Sequence, residues 1–331
     1  MSKAITGEEF KDDFRKALPK ELVQRLTRRS AWRATAGILE DLAVIAIAIG
    51  VALFYWPQPF VILLAIFLVG TRQHALFVVG HDAAHYLLYD NRRINDLVGR
   101  ACATLQGLSM CTYRVIHRLH HNNLYGELDP DTALHGGYPR GRSYLIKKLL
   151  KDLSGMTAWK TYAYFLGGAP GLNTATNVAL RPLDDTSAKL RQEARSDRNL
   201  VVAFHVLALV FFYWQGLLVE YLVLWVLPLV TVVQAILRLR AIAEHGATTD
   251  FSSPLTAART NVTPAWLAWL IFPHHVNYHI EHHLYASVPH YNLPELHREM
   301  ASRGVLEGAE VIPFPATLRK IFSEKRTAIS A

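Results

Sequence analysis

Eight of the 16 histidines in this sequence fall into three short clusters: His81-Asp82-Ala83-Ala84-His85, His117-Arg118-Leu119-His120-His121 and His279-Ile280-Glu281-His282-His283. On a helix, positions three and four residues apart share a face, so each cluster presents imidazoles one turn apart that a metal ion can bridge. A lone pair at this spacing reads most simply as a structural or surface feature. Three clusters read differently, because imidazolium ions repel whereas neutral imidazoles coordinate, and a ligand cage accounts for so many together. Imidazole suits iron, copper and zinc alike, so the spacing does not choose the metal. A zinc hydrolase needs only about three protein ligands, and the sequence has no HExxH motif; that class leaves most of the histidines unexplained.

The elements that must position these clusters are apolar and long. With 51% hydrophobic residues in 331, the chain reads as one polytopic membrane unit. Residues 36–56 and 60–79, parted by Pro57-Gln58-Pro59, form one predicted hairpin. Residues 199–214 and 217–237, parted by Gln215-Gly216, form a second, with Pro228 a predicted kink. The hairpin tips carry no Lys or Arg, whereas the N-terminal segment, the connection from Asp90 to Arg198 and everything after Leu237 carry many, which the positive-inside rule places in the cytoplasm. All three clusters then meet at one membrane face, unlike the polar residues of a transporter path. Ala101 to Met110, Met156 to Leu166 and the short run Trp266 to Phe272 are predicted cap or interfacial helices. Residues 1–35, charged and without a signal-peptide core, and the basic residues 309–331 are predicted cytosolic ends of a membrane domain over 36–308. The formal charge of +8 comes from bases interleaved with acids beside the apolar runs, which suits anionic headgroups and requires no nucleic acid.

In order and separation, the motifs HDAAH, HRLHH and HIEHH look like those of the membrane fatty acid desaturase and hydroxylase superfamily, over roughly residues 36–300. The resemblance implies an all-α membrane protein, with four transmembrane helices in two hairpins and a cytosolic helical cap holding two irons almost entirely on histidine. Carried over position by position, the implied ligands are His81, His85, His117, His120, His121, His279, His282 and His283. Family members commonly add a histidine between the second hairpin and the third cluster, where His245 stands in Ala243-Glu244-His245-Gly246; it is the implied ninth ligand, an interfacial histidine bonded to Glu244 being the alternative. A ligating histidine usually gives its other N–H to a carboxylate or carbonyl, so Asp82, Glu244, Glu281, Asp129 and Asp131 are candidates for that role, the last two reading equally well as solvated loop charge. His275 and Asn277 are expected to support the site. His74, two turns below His81 on the same face, is a candidate to line a substrate tunnel or to bond a neighbouring helix. Arg72 is expected to pair with a cap or headgroup acid, a direct role with substrate being the alternative, and His205, His290 and His297 to be structural.

The implied activity is the oxygen-dependent introduction of a double bond into a long fatty acyl chain. Hydroxylation, carotenoid oxygenation or ketolation, and decarboxylation to a terminal alkene use the same kind of centre, and the sequence leaves open both that choice and the carrier: CoA, acyl-carrier protein, lipid or free acid. With only Cys102 and Cys111, and no GxGxxG, the chain offers no iron–sulfur or dinucleotide site; bound haem and flavin are not expected either. Electrons are expected from a separate ferredoxin-, rubredoxin- or cytochrome b5-like donor with its reductase. His135-Gly136-Gly137-Tyr138 reads as a loop.

Overall fold

The computed structural model describes residues 17–126, 129–167, 171–173, 178–180, 183 and 186–324. The first 16 residues of the predicted N-terminal segment and the last seven of the predicted tail lie outside the described residues. A short α1 (Lys20–Leu26) precedes a hairpin of α2 (Ala31–Phe54) and α3 (Pro59–Ala84). A cap follows, made of α4 (Arg92–Leu105), α5 (Met110–Asn122), α6 (Thr132–His135), α7 (Arg142–Leu153) and α8 (Ala158–Phe165). Next come β1 (Gly171–Asn173), antiparallel to β2 (Val178–Leu180), and the second hairpin, α9 (Ala188–Trp214) and α10 (Leu218–His245). The chain then adds α11 (Pro254–Ala257), β3 (Thr260–Val262), α12 (Ala265–Ile271), α13 (His279–Leu284) and α14 (Leu293–Ser302). Last are β4 (Val311–Pro313), parallel to β3, and α15 (Phe314–Ile321).

The protein is a multi-pass membrane protein: α2, α3, α9 and α10 are each long and apolar enough to cross a bilayer. They leave large apolar side chains such as Ile47, Phe54, Leu63, Leu207 and Trp214 exposed, which is favourable only against lipid. α3 is the central stave, mostly buried, while α9 is almost wholly exposed. The helices overrun the predicted spans. Ser30 caps α2 by accepting the N–H of Arg33, Ser187 caps α9 through Leu190, and α10 continues to His245, because helical hydrogen bonding does not stop where the apolar run does. Around Pro228 α10 is irregular, with a π turn at Leu222–Val226 and Thr231 at φ −124°, since Pro228 lacks the N–H that the Leu224 carbonyl would accept.

Two expectations need correction. Ala101 to Met110 is not one helix but the end of α4 and the start of α5, parted by Gly107 at φ +75°. Arg72 pairs with Asp41 of α2, Nη1 to Oδ1 at 3.2 Å, and not with a cap or headgroup acid. Asp41 shares the buried face of α2 with Ala34, Ile38 and Ile45, so both charges are inside the bundle. The Trp269 ring lies 3.7 Å from the Arg72 guanidinium, the Trp269 carbonyl accepts from it, and His274 Nε2 meets the second Asp41 oxygen at 2.7 Å. The described parts of both ends are also built into the cap. Leu18, Leu22 and Leu26 pack with Leu293, Leu296 and Met300, and Phe314 and Ile321 are buried.

Candidate metal centre

Each histidine cluster sits at a helix end that other side chains fix in place. His81 occupies the last turn of α3 and His85 the residue just past it. The closing carbonyls of α3 accept from Asn95 (Ala83 O, 2.9 Å) and Arg114 (Ala83 O, 3.2 Å; Ala84 O, 3.3 Å), which ties the first cluster to α4 and α5. α5 carries His117, His120 and His121, and its N-terminal Cys111 N–H donates to Asp197 of α9 at 2.8 Å. His245 closes α10, where the buried Arg259 gives Nη1 to the carbonyls of Ala243 and Gly246, each at 3.0 Å. α13 carries His279, His282 and His283. Thr260 of β3 holds it, donating to Glu281 at 2.6 Å and accepting the Ile280 N–H.

These ends bring all nine singled-out imidazoles together in two adjoining groups. His81, His85, His117, His121 and His282 form one, and His120, His245, His279 and His283 the other; within each, the ring nitrogens lie within 4.8 Å of one another. The Nε2 atoms turn inward: His117 to His85 at 2.8 Å, His282 to His121 at 3.0 Å, and His279 to His245 at 2.7 Å. Several Nδ1 atoms turn outward, His120 to Asp129 at 2.9 Å, His81 to Asp82 at 3.2 Å and His245 to the Ala257 carbonyl at 3.2 Å.

That orientation is what metal ligation requires. His120 and His245 both turn Nδ1 to an acceptor elsewhere, which leaves their Nε2 atoms facing each other at 3.2 Å, where a shared cation can replace the proton between them. His81 Nε2 is buried with no hydrogen-bond partner. Burial, then the neighbouring imidazoles, hold His117, His121, His279, His282 and His283 well below the usual histidine range, and His85 at about 3, so these rings are neutral donors. Burial also disfavours the imidazolium of His120, but Asp129, together with Asp131 and Glu244, outweighs it and raises His120 to about 9. The residues therefore fit a di-metal site.

Residues 57–313 match the fatty acid desaturase family. The chain belongs to that family. Among its relatives are the endoplasmic-reticulum omega-3 fatty acid desaturase of Vigna radiata var. radiata, 30% identical over 46% of this chain and 36% of that protein, and the sn-1 oleoyl-lipid 12-desaturase of Anabaena variabilis, 32% identical over 37% and 33%. The dihydrorhizobitoxine desaturase of Bradyrhizobium elkanii is 26% identical over 76% of this chain and 70% of its own. The chain thus spans about a third of the length of the first two.

The other singled-out residues scatter around this desaturase-family centre. Asp82 bridges His81 and His290 (Nδ1, 2.7 Å), and Asp129 also takes the N–H groups of Tyr125 and Asp131. Asp131 lies 3.9 Å from His120 Nδ1, and Glu244 lies 3.8 Å from His279 Nε2. Glu281 accepts from Thr260 and His297 (2.5 Å) and holds no ligand ring directly. Asn277 donates to the Asn261 carbonyl, and His275 is exposed in a turn, outside both groups. His74 is buried with both ring nitrogens unpartnered, 6.3 Å from the Phe77 ring. His205 donates its Nε2–H to the Thr104 carbonyl of α4 at 2.9 Å, a structural bond.

Sequence reasoning missed three contributors. His135, read as part of a loop, closes α6 with its buried ring 4.8 Å from His245, and forms a third possible ligand group with His120 and Asp129. Its one signal is its place just after the Asp129-Pro130-Asp131 run. His290 and His297, read as merely structural, hold the carboxylates Asp82 and Glu281; the 208-residue separation of His290 from Asp82 leaves no local signal. Beside the centre opens a cavity of about 530 Å³, walled by Phe77, Tyr113, Tyr164 and Phe165 and reaching His120 and His245. His74 is not among its lining residues, although Phe77 is.

Proposed function

We propose that this chain is an oxygen-dependent di-iron oxidase that introduces a double bond into a long fatty acyl chain, its membrane domain covering residues 36–308. The observation that carries the reading is the junction of two all-histidine groups with a cavity of aromatic and aliphatic walls. His81, His85, His117, His121 and His282 would hold one iron, and His120, His245, His279 and His283 the other. Bound iron supplies oxygen activation and removal of hydrogen from an unactivated methylene.

The protein's own part is positioning. Asp82 and Asp129 fix the ring orientation of His81 and His120, while Phe77, Tyr113 and Phe165 exclude water and align the chain. Overall, –CH2–CH2– becomes –CH=CH– as O2, two electrons and two protons become two waters. The electrons would come from a separate ferredoxin-, rubredoxin- or cytochrome b5-like donor, since the described cysteines, Cys102 and Cys111, are isolated and buried. Lys and Arg crowd the non-tip segments, which supports a cytoplasmic cap, site and termini.

The names of the Vigna radiata and Anabaena variabilis relatives, which specify a fatty acid and an oleoyl-lipid, support an acyl substrate. A second reading, a substrate other than a simple acyl chain, is favoured by the relative aligned over most of both chains, which is named for dihydrorhizobitoxine. The test is mass spectrometry of lipids and small metabolites from a host expressing the protein with a donor system, with and without oxygen, beside a His283→Ala variant. Oxygen-dependent loss of two hydrogens, absent in the variant, is expected. Gain of one oxygen would instead identify a hydroxylase, and a shortened terminal alkene a decarboxylase.

A further inference from the structure

The cavity contains a charge for which the proposed reaction has no use. Arg240 lies on α10 one turn before Glu244 and is only 8% exposed. Its Nε stands 3.3 Å from Glu244 Oε1, yet neither Nε nor Nη1 of Arg240 makes a hydrogen bond, and Glu244 Oε1 makes none. Both side chains line the cavity. The Tyr164 hydroxyl, also on the lining, is likewise buried without a hydrogen-bond partner, as are both ring nitrogens of His135, whose Nε2 lies 3.8 Å from Asp129. A buried donor left unpaired costs about 1–3 kcal/mol, and more when charged; Glu244 meets the guanidinium only at Nε, so its outer edge at Nη1 is left for an acceptor that enters the cavity. Its Cζ lies 5.9 Å from the centre of the Phe77 ring, which puts the charge against the apolar wall.

We propose that Arg240 binds the carboxylate of a free carboxylic acid whose hydrocarbon lies along Phe77, Tyr113 and Phe165. The substrate then enters as the free acid, not as a thioester or a glycerolipid. The assignment rests on the oxidase reading above and narrows its substrate. A guanidinium offers paired donors that match two carboxylate oxygens, and esterification removes both the charge and the second oxygen anion that would satisfy them. The remaining charges agree: Lys148, Lys160 and Arg238 line the same cavity against Asp131 and Glu244, Arg238 being engaged by Asp152 (Nη2 to Oδ1, 3.1 Å).

Binding to the purified, iron-loaded full chain in detergent tests this, read as the ligand-induced rise in unfolding midpoint. The probes are dodecanoic acid, methyl dodecanoate, dodecan-1-ol and dodecanoyl-CoA. The acid is expected to bind at least about tenfold more tightly than the ester or the alcohol. Arg240→Met combined with Glu244→Gln removes both buried charges and is expected to abolish that preference while the ester still binds. Should that pair fail to fold, Arg240→Lys, which keeps the charge without the planar fork, is expected to weaken the acid alone. Equal binding of acid and ester, a preference that survives these substitutions, or tighter binding of the thioester overturns the assignment. Iron content, measured throughout, separates a lost ligand site from a lost metal centre. Oxygen-dependent product without acid selectivity overturns the Arg240 assignment alone; acid selectivity without product overturns the oxidase reading alone.

Discussion

A ligating imidazole is useful only if its other nitrogen is held, and at the proposed ligand His120 the holder is Asp129, itself fixed by the N–H groups of Tyr125 (2.9 Å) and Asp131 (3.0 Å). Asp129→Ala is therefore expected to weaken metal binding about 10–100-fold, measured as iron retained against a chelator. Asp131→Ala, 3.9 Å from the same nitrogen, should do much less; similar losses for the two would sink the distinction. Arg259 works one layer further out. It is fully buried, holds the end of α10 beside His245, and pairs with Glu310 at 3.0 Å. Arg259→Ala strands a buried carboxylate and should cost about 3–5 kcal/mol in thermal unfolding, toward the lower figure because Lys320 also reaches Glu310 at 2.6 Å. At this scale the sequence disclosed whatever is periodic. The three clusters announce themselves because helical spacing converts i, i+3 and i+4 into shared faces. His290 and the place of Arg240 in the cavity are silent, since the carboxylate His290 meets and most of the cavity wall around Arg240 come from distant parts of the chain.

The hairpins were legible as elements because apolar runs parted by Pro57-Gln58-Pro59 and Gln215-Gly216 admit few other readings. Their ends were not, because hydropathy follows the membrane whereas a helix follows its hydrogen bonds and caps. Nor could Asp41 be recognised as the partner of Arg72, since an acid near the edge of an apolar run looks like an interface residue until its face is known. How closely the helices approach is likewise written in single small residues. A Cβ on Gly70 would stand 2.5 Å from Val232 Cβ, so α3 and α10 touch there with no room for a side chain. Gly70→Val should push these helices apart and cost about 1–3 kcal/mol, and Val232→Ala in the same chain should recover part of the loss. Because α3 carries His81 and α10 carries His245, the single variant should also lose iron more readily than the double. An additive effect of the two substitutions on the unfolding midpoint would show that the contact is not what limits packing.

For the molecule as a whole, the histidine ends of α3 and α10 and the cap helices lie together, opposite the hairpin tips near Gln58 and Gln215. Under the proposed function a donor protein and a membrane-borne substrate would both have to reach that end, so the side of the bilayer it faces would decide which donors are possible. The tips carry neither Lys nor Arg while the cap carries many, and moving such charges across the membrane is costly enough to set orientation. Cysteine labelling can read this directly, because native Cys102 and Cys111 are 4% and 5% exposed and should give little background. Gln215→Cys at an exposed tip should react with a membrane-impermeant maleimide in intact cells. Ser302→Cys, exposed at the end of α14, should react only after the membrane is opened. The reverse pattern would put the metal centre outside, out of reach of a cytoplasmic reductant, and the electron-transfer half of the proposed function would fall with it.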